Sequence, residues 1–339
     1  MVIDDNFDLT SYNSFGISAR CKHFCSISNE SELKDLLQNP QFNKLPKLPL
    51  GGGSNLLLTQ DYNGLVIKID IKGIEKTKED ENYYYLKVGA GENWHQFVLH
   101  CMDNNWAGVE NLSLIPGNVG TAPLQNIGAY GIEIKDVIDS VQYYNTEKQK
   151  EVDLEAKDCE FGYRTSIFKT TLKGSSYITY VNFKLQKKPN LKTEYGAIKQ
   201  ELENKGIHSP TIKDISNAVI AIRSSKLPDP QKIGNAGSFF KNPVVTAEVA
   251  RKLLGKYPEA PNYLVGDNEV KIPAGWLIET AGWKGKTFGD SFGVHKNQAL
   301  VLVNYKNATG KQIYDLSQNI LEDIETRFGI LLEREVNIL

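Results

Sequence analysis

The sequence predicts an α+β protein with two domains. Strand-like stretches outnumber helical ones and are short. They do not alternate regularly with helices, as a parallel doubly wound sheet would require. Pro228 and Pro230, in Lys226-Leu-Pro-Asp-Pro230, punctuate the chain and mark a domain boundary. At about 150 residues per domain, 339 residues suffice for two cores.

The elements follow in order. Asn29 and Glu32 form a capping-box pattern that opens a helix with Leu33, Leu36 and Leu37 on one face. Leu48-Pro-Leu, Gly51-Gly-Gly-Ser-Asn55 and Leu56-Leu-Leu58 read as strand, tight loop and strand. Leu65 to Ile71 alternates apolar and polar residues, predicting a half-buried strand, and Tyr83 to Val88 is another. Trp94, Phe97, Val98 and Cys101 recur at helical spacing, and Tyr177 to Lys187 is again strand-like. Beyond the boundary, Thr246 to Leu254 and Thr309 to Phe328 read as helices, the second opened by Thr309 and Gln312. Gln298 to Val303 between them reads as a buried strand. At the end, Glu333, Glu335 and Asn337 alternate with Leu332, Arg334, Val336 and Ile338 in an edge-strand pattern.

Composition excludes several classes. Lys plus Arg is 39 and Asp plus Glu is 41, a net charge of −2, which lacks the basic footprint of a dedicated nucleic-acid binder. The N-terminus shows no basic and apolar signal pattern, and no apolar run nears the roughly 20 residues that span a bilayer. A cytoplasmic protein with no membrane partner is the expectation. Cys21, Cys25, Cys101 and Cys159 do not make a disulfide framework. Cys21 and Cys25 flank His23, but no second cluster completes a tetrahedral zinc set, so no metal is expected.

Twelve of the 28 glycines fall between Gly51 and Gly131, where backbone must turn tightly or approach something closely. Gly51 to Asn55 suits either a phosphate cradle or a plain tight turn. Gly89-Ala-Gly91 follows a strand and precedes a helix, but Trp94 stands where a dinucleotide fingerprint needs a third small residue. Ile115 to Gly131 carries four glycines and hardly a charge; it reads as backbone wrapped around a large, flat, partly apolar ligand, or as a buried connector. In Phe161-Gly-Tyr-Arg-Thr-Ser-Ile-Phe168, a buried Arg164 would need an anion, either a structural carboxylate or a ligand. Ile222 to Lys241 holds four cations against Asp229, a net of 4 − 1 = +3, which points to an anionic ligand. Within it, Ser238 follows two glycines and precedes two phenylalanines, without the surroundings of a hydrolase nucleophile.

Taken in order, Gly-Gly-Gly-Ser-Asn, Ile-Pro-Gly through Gln-Asn-Ile-Gly-Ala-Tyr-Gly, Phe-Gly-Tyr-Arg-Thr-Ser-Ile-Phe, Lys-Leu-Pro-Asp-Pro, Gly-Asn-Ala-Gly-Ser-Phe-Phe-Lys-Asn-Pro and Leu-Glu-x-Glu-Val resemble the UDP-N-acetylenolpyruvoylglucosamine reductase family, from Asn13 to Val336. The resemblance implies a vanillyl-alcohol-oxidase-type (PCMH-type) FAD-binding fold over 1–227, in subdomains of about 1–71 and 72–227. An α+β substrate-binding domain over 228–325 and a tail over 326–339, carrying Glu335 back to the active site, complete the implied organisation. It implies bound FAD, with NADPH and UDP-N-acetylglucosamine enolpyruvate as successive substrates.

Site residues are implied one by one. Arg164, Ser238 and Glu335 match catalytic positions, Ser238 as the proton donor. Gly51, Gly52, Gly53, Ser54, Asn55, Pro116, Gly117, Thr121, Gly128, Tyr130 and Arg223 match flavin-contacting positions. Tyr163, Tyr195, Lys226, Asn242 and Gln298 match substrate-contacting ones, Lys226 facing the diphosphate, and Tyr195 places the chain with the larger subclass bearing a tyrosine loop. Thr121 replaces the usual serine, and Asn337 stands where many members carry a cation. Two rival readings predict other behaviour: a flavin oxidase of the same fold, and a sugar-nucleotide-binding protein without flavin.

Overall fold

The computed structural model describes residues 1–339 and forms two compact units. The first comprises Met1–Phe7, Cys21–Gly52 and Asn63–Ser225; the second comprises Asp8–Arg20, Gly53–Tyr62 and Lys226–Leu339. The division after Ser225 falls two residues before the boundary expected from sequence. The structure differs more in membership: segments 8–20 and 53–62 pack with the C-terminal residues instead of with 1–227.

The first unit holds two large sheets and a two-stranded ribbon of Gly128–Ala129 and Ile132–Glu133. In the four-stranded one the order is Ile3–Asp8, Arg20–Ile27, Tyr62–Ile69 and Lys47–Leu50, the last two parallel. Leu65, Val66 and Ile67 are all fully buried. Successive strand residues point to opposite faces, so both faces are covered, and the expected half-buried strand is in fact an interior one. Helix α1 (Glu30–Gln38) starts where Asn29 Oδ1 accepts the Glu32 N–H at 3.0 Å. The Glu32 carboxylate reaches one residue further back than a capping box requires, to the Ser28 N–H at 2.8 Å.

The five-stranded sheet is antiparallel, in the order Lys150–Glu155, Ile138–Asn145, Ser176–Gln186, Tyr83–Gly89 and Ile74–Glu79. Helix α2 (Trp94–Asp103) buries Trp94, Phe97, Val98 and Cys101 against it, with Phe97 and Phe183 ring centroids 4.6 Å apart. Gly89 and Gly91 serve this packing. A Cβ on Gly89 would strike the Ile71 carbonyl oxygen, and one on Gly91 would lie 2.6 Å from Asp70 Cα. That close crossing accounts for both glycines by packing alone. Helices α3 (Gly196–Asn204) and α4 (Ile212–Lys226), not foreseen from sequence, enclose a small core of Ile198, Leu202, Ile215, Val219 and Ile222.

In the second unit, Gly234–Ser238 leads a sheet that continues through Val301–Asn304, Phe292–Val294 and Thr287–Phe288. A three-stranded sheet and helices α5 (Ala247–Lys256), α6 (Ala274–Thr280) and α7 (Gly310–Phe328) complete it. The Thr309–Gln312 capping box forms as expected, and α7 buries Ile313, Leu316, Ile320 and Ile324. The strand expected from Gln298 starts only at Val301, because Gln298 to Val301 makes a turn closed by the Val301 N–H on the Gln298 carbonyl at 3.1 Å. All four cysteines are buried thiols outside any disulfide; burial pushes the Cys25 thiol up to about 11 and Cys159 up to about 12. No helix is long and apolar enough to cross a membrane.

Candidate functional site

In the first unit the two Gly-rich loops meet backbone to backbone. A Cβ on Gly52 would lie 2.7 Å from Asn118 Oδ1 and 3.0 Å from Gly117 Cα, and one on Gly51 would run into the Thr121 methyl. Thr121 thus turns its extra methyl toward a residue that has no side chain, while its hydroxyl donates to the Asn118 carbonyl at 2.8 Å. No protein acceptor takes the N–H of Gly51 or Gly52, which leaves two adjacent donors for an anion. Gly117 is buried beside them, and Pro116 is exposed.

Arg223, on α4, supplies a cation to the same unit. Its Nε donates to the Leu114 carbonyl at 3.3 Å, and its guanidinium meets the Tyr130 hydroxyl. Burial lowers its affinity for its proton, and no carboxylate stands against it. A half-buried guanidinium without a carboxylate, together with free loop amides, fits the phosphates of a dinucleotide cofactor such as FAD.

Arg164 and Tyr163 form the tip of a two-residue hairpin closed by Gly162 and Thr165, whose mutual backbone bonds are 3.1 and 3.3 Å. Arg164 takes the left-handed conformation at φ 55°, a strain of about 1–2 kcal/mol for a residue with a Cβ. Its guanidinium donates to the Gly128 carbonyl at 3.0 Å and lies 5.5 Å from the Tyr163 ring centroid. Tyr163 is exposed, and Arg164 is half-buried, not the deeply buried cation considered from sequence. Tyr195, 55% exposed at the start of α3, sets its ring edge-on to Tyr130 at 5.4 Å.

The second unit holds the remaining residues. Ser238 ends the strand that pairs with Val301–Asn304, beyond Gly237 at φ 68°. No protein group engages its hydroxyl by a hydrogen bond. The tail lies alongside: the Glu335 N–H donates to the Phe239 carbonyl at 2.8 Å, and Phe240 bridges Arg334. Asn55 Nδ2 donates to the Glu335 carbonyl at 3.2 Å, while Asn337 Nδ2 donates back to the Asn55 carbonyl at 2.9 Å. The residue that replaces a cation therefore ties the tail to the Gly53-Ser-Asn55 loop. Gly53 itself sits at φ 63°, where a Cβ would strike the Tyr12 carbonyl oxygen. Asn337–Ile338 then runs parallel to Leu56–Leu57, so the predicted edge strand is paired.

Two substrate-binding candidates have structural duties. Asn242 Oδ1 accepts the Ala274 N–H at the start of α6, at 2.9 Å, which leaves its amide hydrogens for a ligand. Gln298 Oε1 accepts the Leu300 N–H at 3.3 Å within its turn. Lys226 is exposed at the end of α4.

Sequence reasoning missed the supports of the Gly-rich loop over 115–131. Asn126, buried at φ 45°, donates to Glu133 at 2.9 Å and to the Gly162 carbonyl at 3.1 Å, stitching the loop to the Arg164 hairpin. Asn111 donates to the carbonyls of Tyr130 and Lys192, both at 3.0 Å. His95 Nδ1 accepts the Leu114 N–H at 3.0 Å. His95 and Asn111 lie outside the Gly-rich block, and each of the three residues reaches a backbone group 19 or more positions away, so spacing alone carried no signal.

The fold and these loops define an FAD-dependent oxidoreductase in two units. The FAD binding domain family matches residues 22–149, and the C-terminal domain family of UDP-N-acetylenolpyruvoylglucosamine reductase matches residues 229–339. The chain is 52% identical to the UDP-N-acetylenolpyruvoylglucosamine reductase of Flavobacterium johnsoniae, covering 100% of both. Its identity to that of Chromobacterium violaceum is 49%, over 98% of this chain and 97% of the relative. The chain belongs to the UDP-N-acetylenolpyruvoylglucosamine reductase family. Two solved structures share its fold. The Thermus caldophilus UDP-N-acetylenolpyruvylglucosamine reductase has a TM-score of 0.68 at 22% identity, covering 100% of this chain and 99% of that one. The p-cresol methylhydroxylase has a TM-score of 0.50 at 12% identity, covering 97% and 84%, which places the PCMH-type flavoproteins among its fold relatives.

Proposed function

We propose that the protein reduces UDP-N-acetylglucosamine enolpyruvate to UDP-N-acetylmuramate with NADPH, supplying a peptidoglycan precursor as a cytoplasmic monomer. The observation that carries this reading is the full-length identity of about half to reductases of that name. The ordered loops and paired tail support it. When bound, FAD would supply two-electron hydride chemistry between NADPH and C3 of the enolpyruvyl group.

The chain's own residues do the rest. Gly51, Gly52, Gly53, Ser54, Asn55, Pro116, Gly117, Thr121, Gly128, Tyr130 and Arg223 hold the cofactor, Arg223 and the loop amides taking its phosphates. Arg164 is a fixed positive charge for the negative charge that grows toward the substrate carboxylate as C3 gains hydride. Its hairpin bonds and the Gly128 contact hold it there against its left-handed strain, which is a form of preorganisation. Ser238 gives its proton to C2. A serine hydroxyl is a weak acid, so it needs a dry setting and a charged neighbour. Phe239 and Phe240, both fully buried, supply apolar surroundings, and Glu335 on the adjoining tail supplies the carboxylate. Lys226 faces the diphosphate, while Tyr163, Tyr195, Asn242 and Gln298 orient the sugar nucleotide.

Ser238→Ala is expected to slow reduction of the enolpyruvyl substrate by roughly 10²–10⁴, while NADPH still bleaches the flavin at the normal rate. Stopped-flow absorbance separates the two half-reactions. If both collapse together, the role given to Ser238 is wrong. NADPH consumption that needs only oxygen would favour the oxidase reading.

A further inference from the structure

We propose that His95 is a positioning residue for the flavin site: as a neutral imidazole it fixes Leu114 and thereby aims the Leu114 carbonyl at Arg223. The inference rests on the assignment of Arg223 to the cofactor phosphates.

The geometry is a three-residue relay inside the first unit. His95 stands in the first turn of α2. Its Nδ1 accepts the Leu114 N–H at 3.0 Å, so that nitrogen carries no proton. Leu114 sits at φ 57°, the left-handed region that a residue with a Cβ enters only when something holds it there. Its carbonyl receives the Arg223 Nε at 3.3 Å. The next residues, from Ile115 on, are the loop that carries Pro116, Gly117 and Thr121. One imidazole thus fixes both the entry of the loop and one contact of the cation.

Protonation would break the relay in two ways. Nδ1 would turn from acceptor to donor against another N–H, and the new charge would face Arg223. The other charged groups near this turn point elsewhere: Glu92 accepts the Gly73 N–H at 2.7 Å, and Glu110 accepts the Gly108 N–H at 2.7 Å. Burial first, then the Arg223 charge, holds the His95 pKa below its ordinary 6.5. The site therefore stays intact at neutral pH. Because the folded chain binds this proton less readily than the unfolded one, the stabilisation is present above the unfolded value of about 6.5 and is lost as pH falls below it.

The test is FAD affinity of the reconstituted apoprotein, read by quenching of flavin fluorescence from about pH 5 to about pH 8. Wild-type affinity is expected to fall on the acid side. His95→Ala should weaken binding at neutral pH by about tenfold, the worth of one lost hydrogen bond. His95→Asn, whose Oδ1 stands near the place of Nδ1 and does not titrate, should recover most of that loss and abolish the acid limb. An acid limb that persists in His95→Asn overturns the proposal, as does undiminished neutral-pH affinity in His95→Ala. If His95→Ala does not fold, the pH series of wild type and His95→Asn decides alone. Arg223→Ala separates the underlying assignment: unchanged FAD affinity there removes Arg223 from the cofactor site, whereas a loss there with none in His95→Ala removes only the relay.

Discussion

Single residues on the tail show how Glu335 is tied into the fold. Arg334 donates to Ser317 at 2.8 Å and to Gln318 at 2.7 Å, and its guanidinium lies 4.6 Å from the Tyr314 ring centroid. All three partners are on α7, so the residue before Glu335 is riveted to the longest helix. Arg334→Ala should therefore cost catalysis more than binding. Loss of up to about 10²-fold in enolpyruvyl reduction is expected, the size of an error of about 1 Å in placing a catalytic group. FAD affinity, measured by fluorescence, should not change. Gly53 is a second such point. Gly53→Ala meets both the left-handed penalty and the Tyr12 carbonyl, and a loss of at least about 2 kcal/mol is expected in a urea titration.

At the scale of elements, the helix signals were legible where caps and apolar spacing agreed. The Thr309 capping box opens α7 as its sequence requires. Thr309→Ala should lower stability by about 1 kcal/mol, measured by thermal melting, with no change in turnover. Helix α4 had its signal too, since Ile212, Ile215, Val219 and Ile222 fall at helical spacing and Thr211 caps the Asp214 N–H at 3.3 Å. Lys213, Arg223 and Lys226 in the same stretch mask that spacing. The strand over Tyr62–Ile69 was misjudged for a different reason. Lys68 interrupts its apolar run and mimics an exposed alternation, yet Lys68 turns its ammonium to the Gly51 carbonyl at 2.8 Å. The Gly-rich loops were legible as places of close backbone approach, which Gly51 and Gly52 make against Thr121, Asn118 and Gly117. Their supports, His95, Asn111 and Asn126, were not, because each acts through a backbone group distant in sequence.

For the whole molecule, the two units divide the duties that the sequence assigns to blocks. Pro116, Gly117, Thr121, Gly128, Tyr130, Arg223 and Arg164 belong to the first unit; Gly53 to Asn55, Ser238, Asn242, Gln298 and Glu335 belong to the second. The near-zero net charge conceals this, because the cations that matter are few and local. Cofactor should stabilise the holoprotein by mass action: at a free FAD concentration of 100 times Kd, about 2.7 kcal/mol is expected. Calorimetry with and without added FAD measures it, and a melting temperature indifferent to FAD would contradict the assignment of the loops.

The interleaved membership of the second unit also bears on how the chain emerges from the ribosome. Segments 8–20 and 53–62 are made early, yet their partners lie in 226–339. Phe15, Ile17, Leu57 and Leu58, all nearly inaccessible in the finished fold, must wait uncovered while some 170 further residues are translated, about 10–30 s at common elongation rates. Nascent chains of this protein should accordingly lean on chaperones during that interval, and more so when translation slows past residue 62.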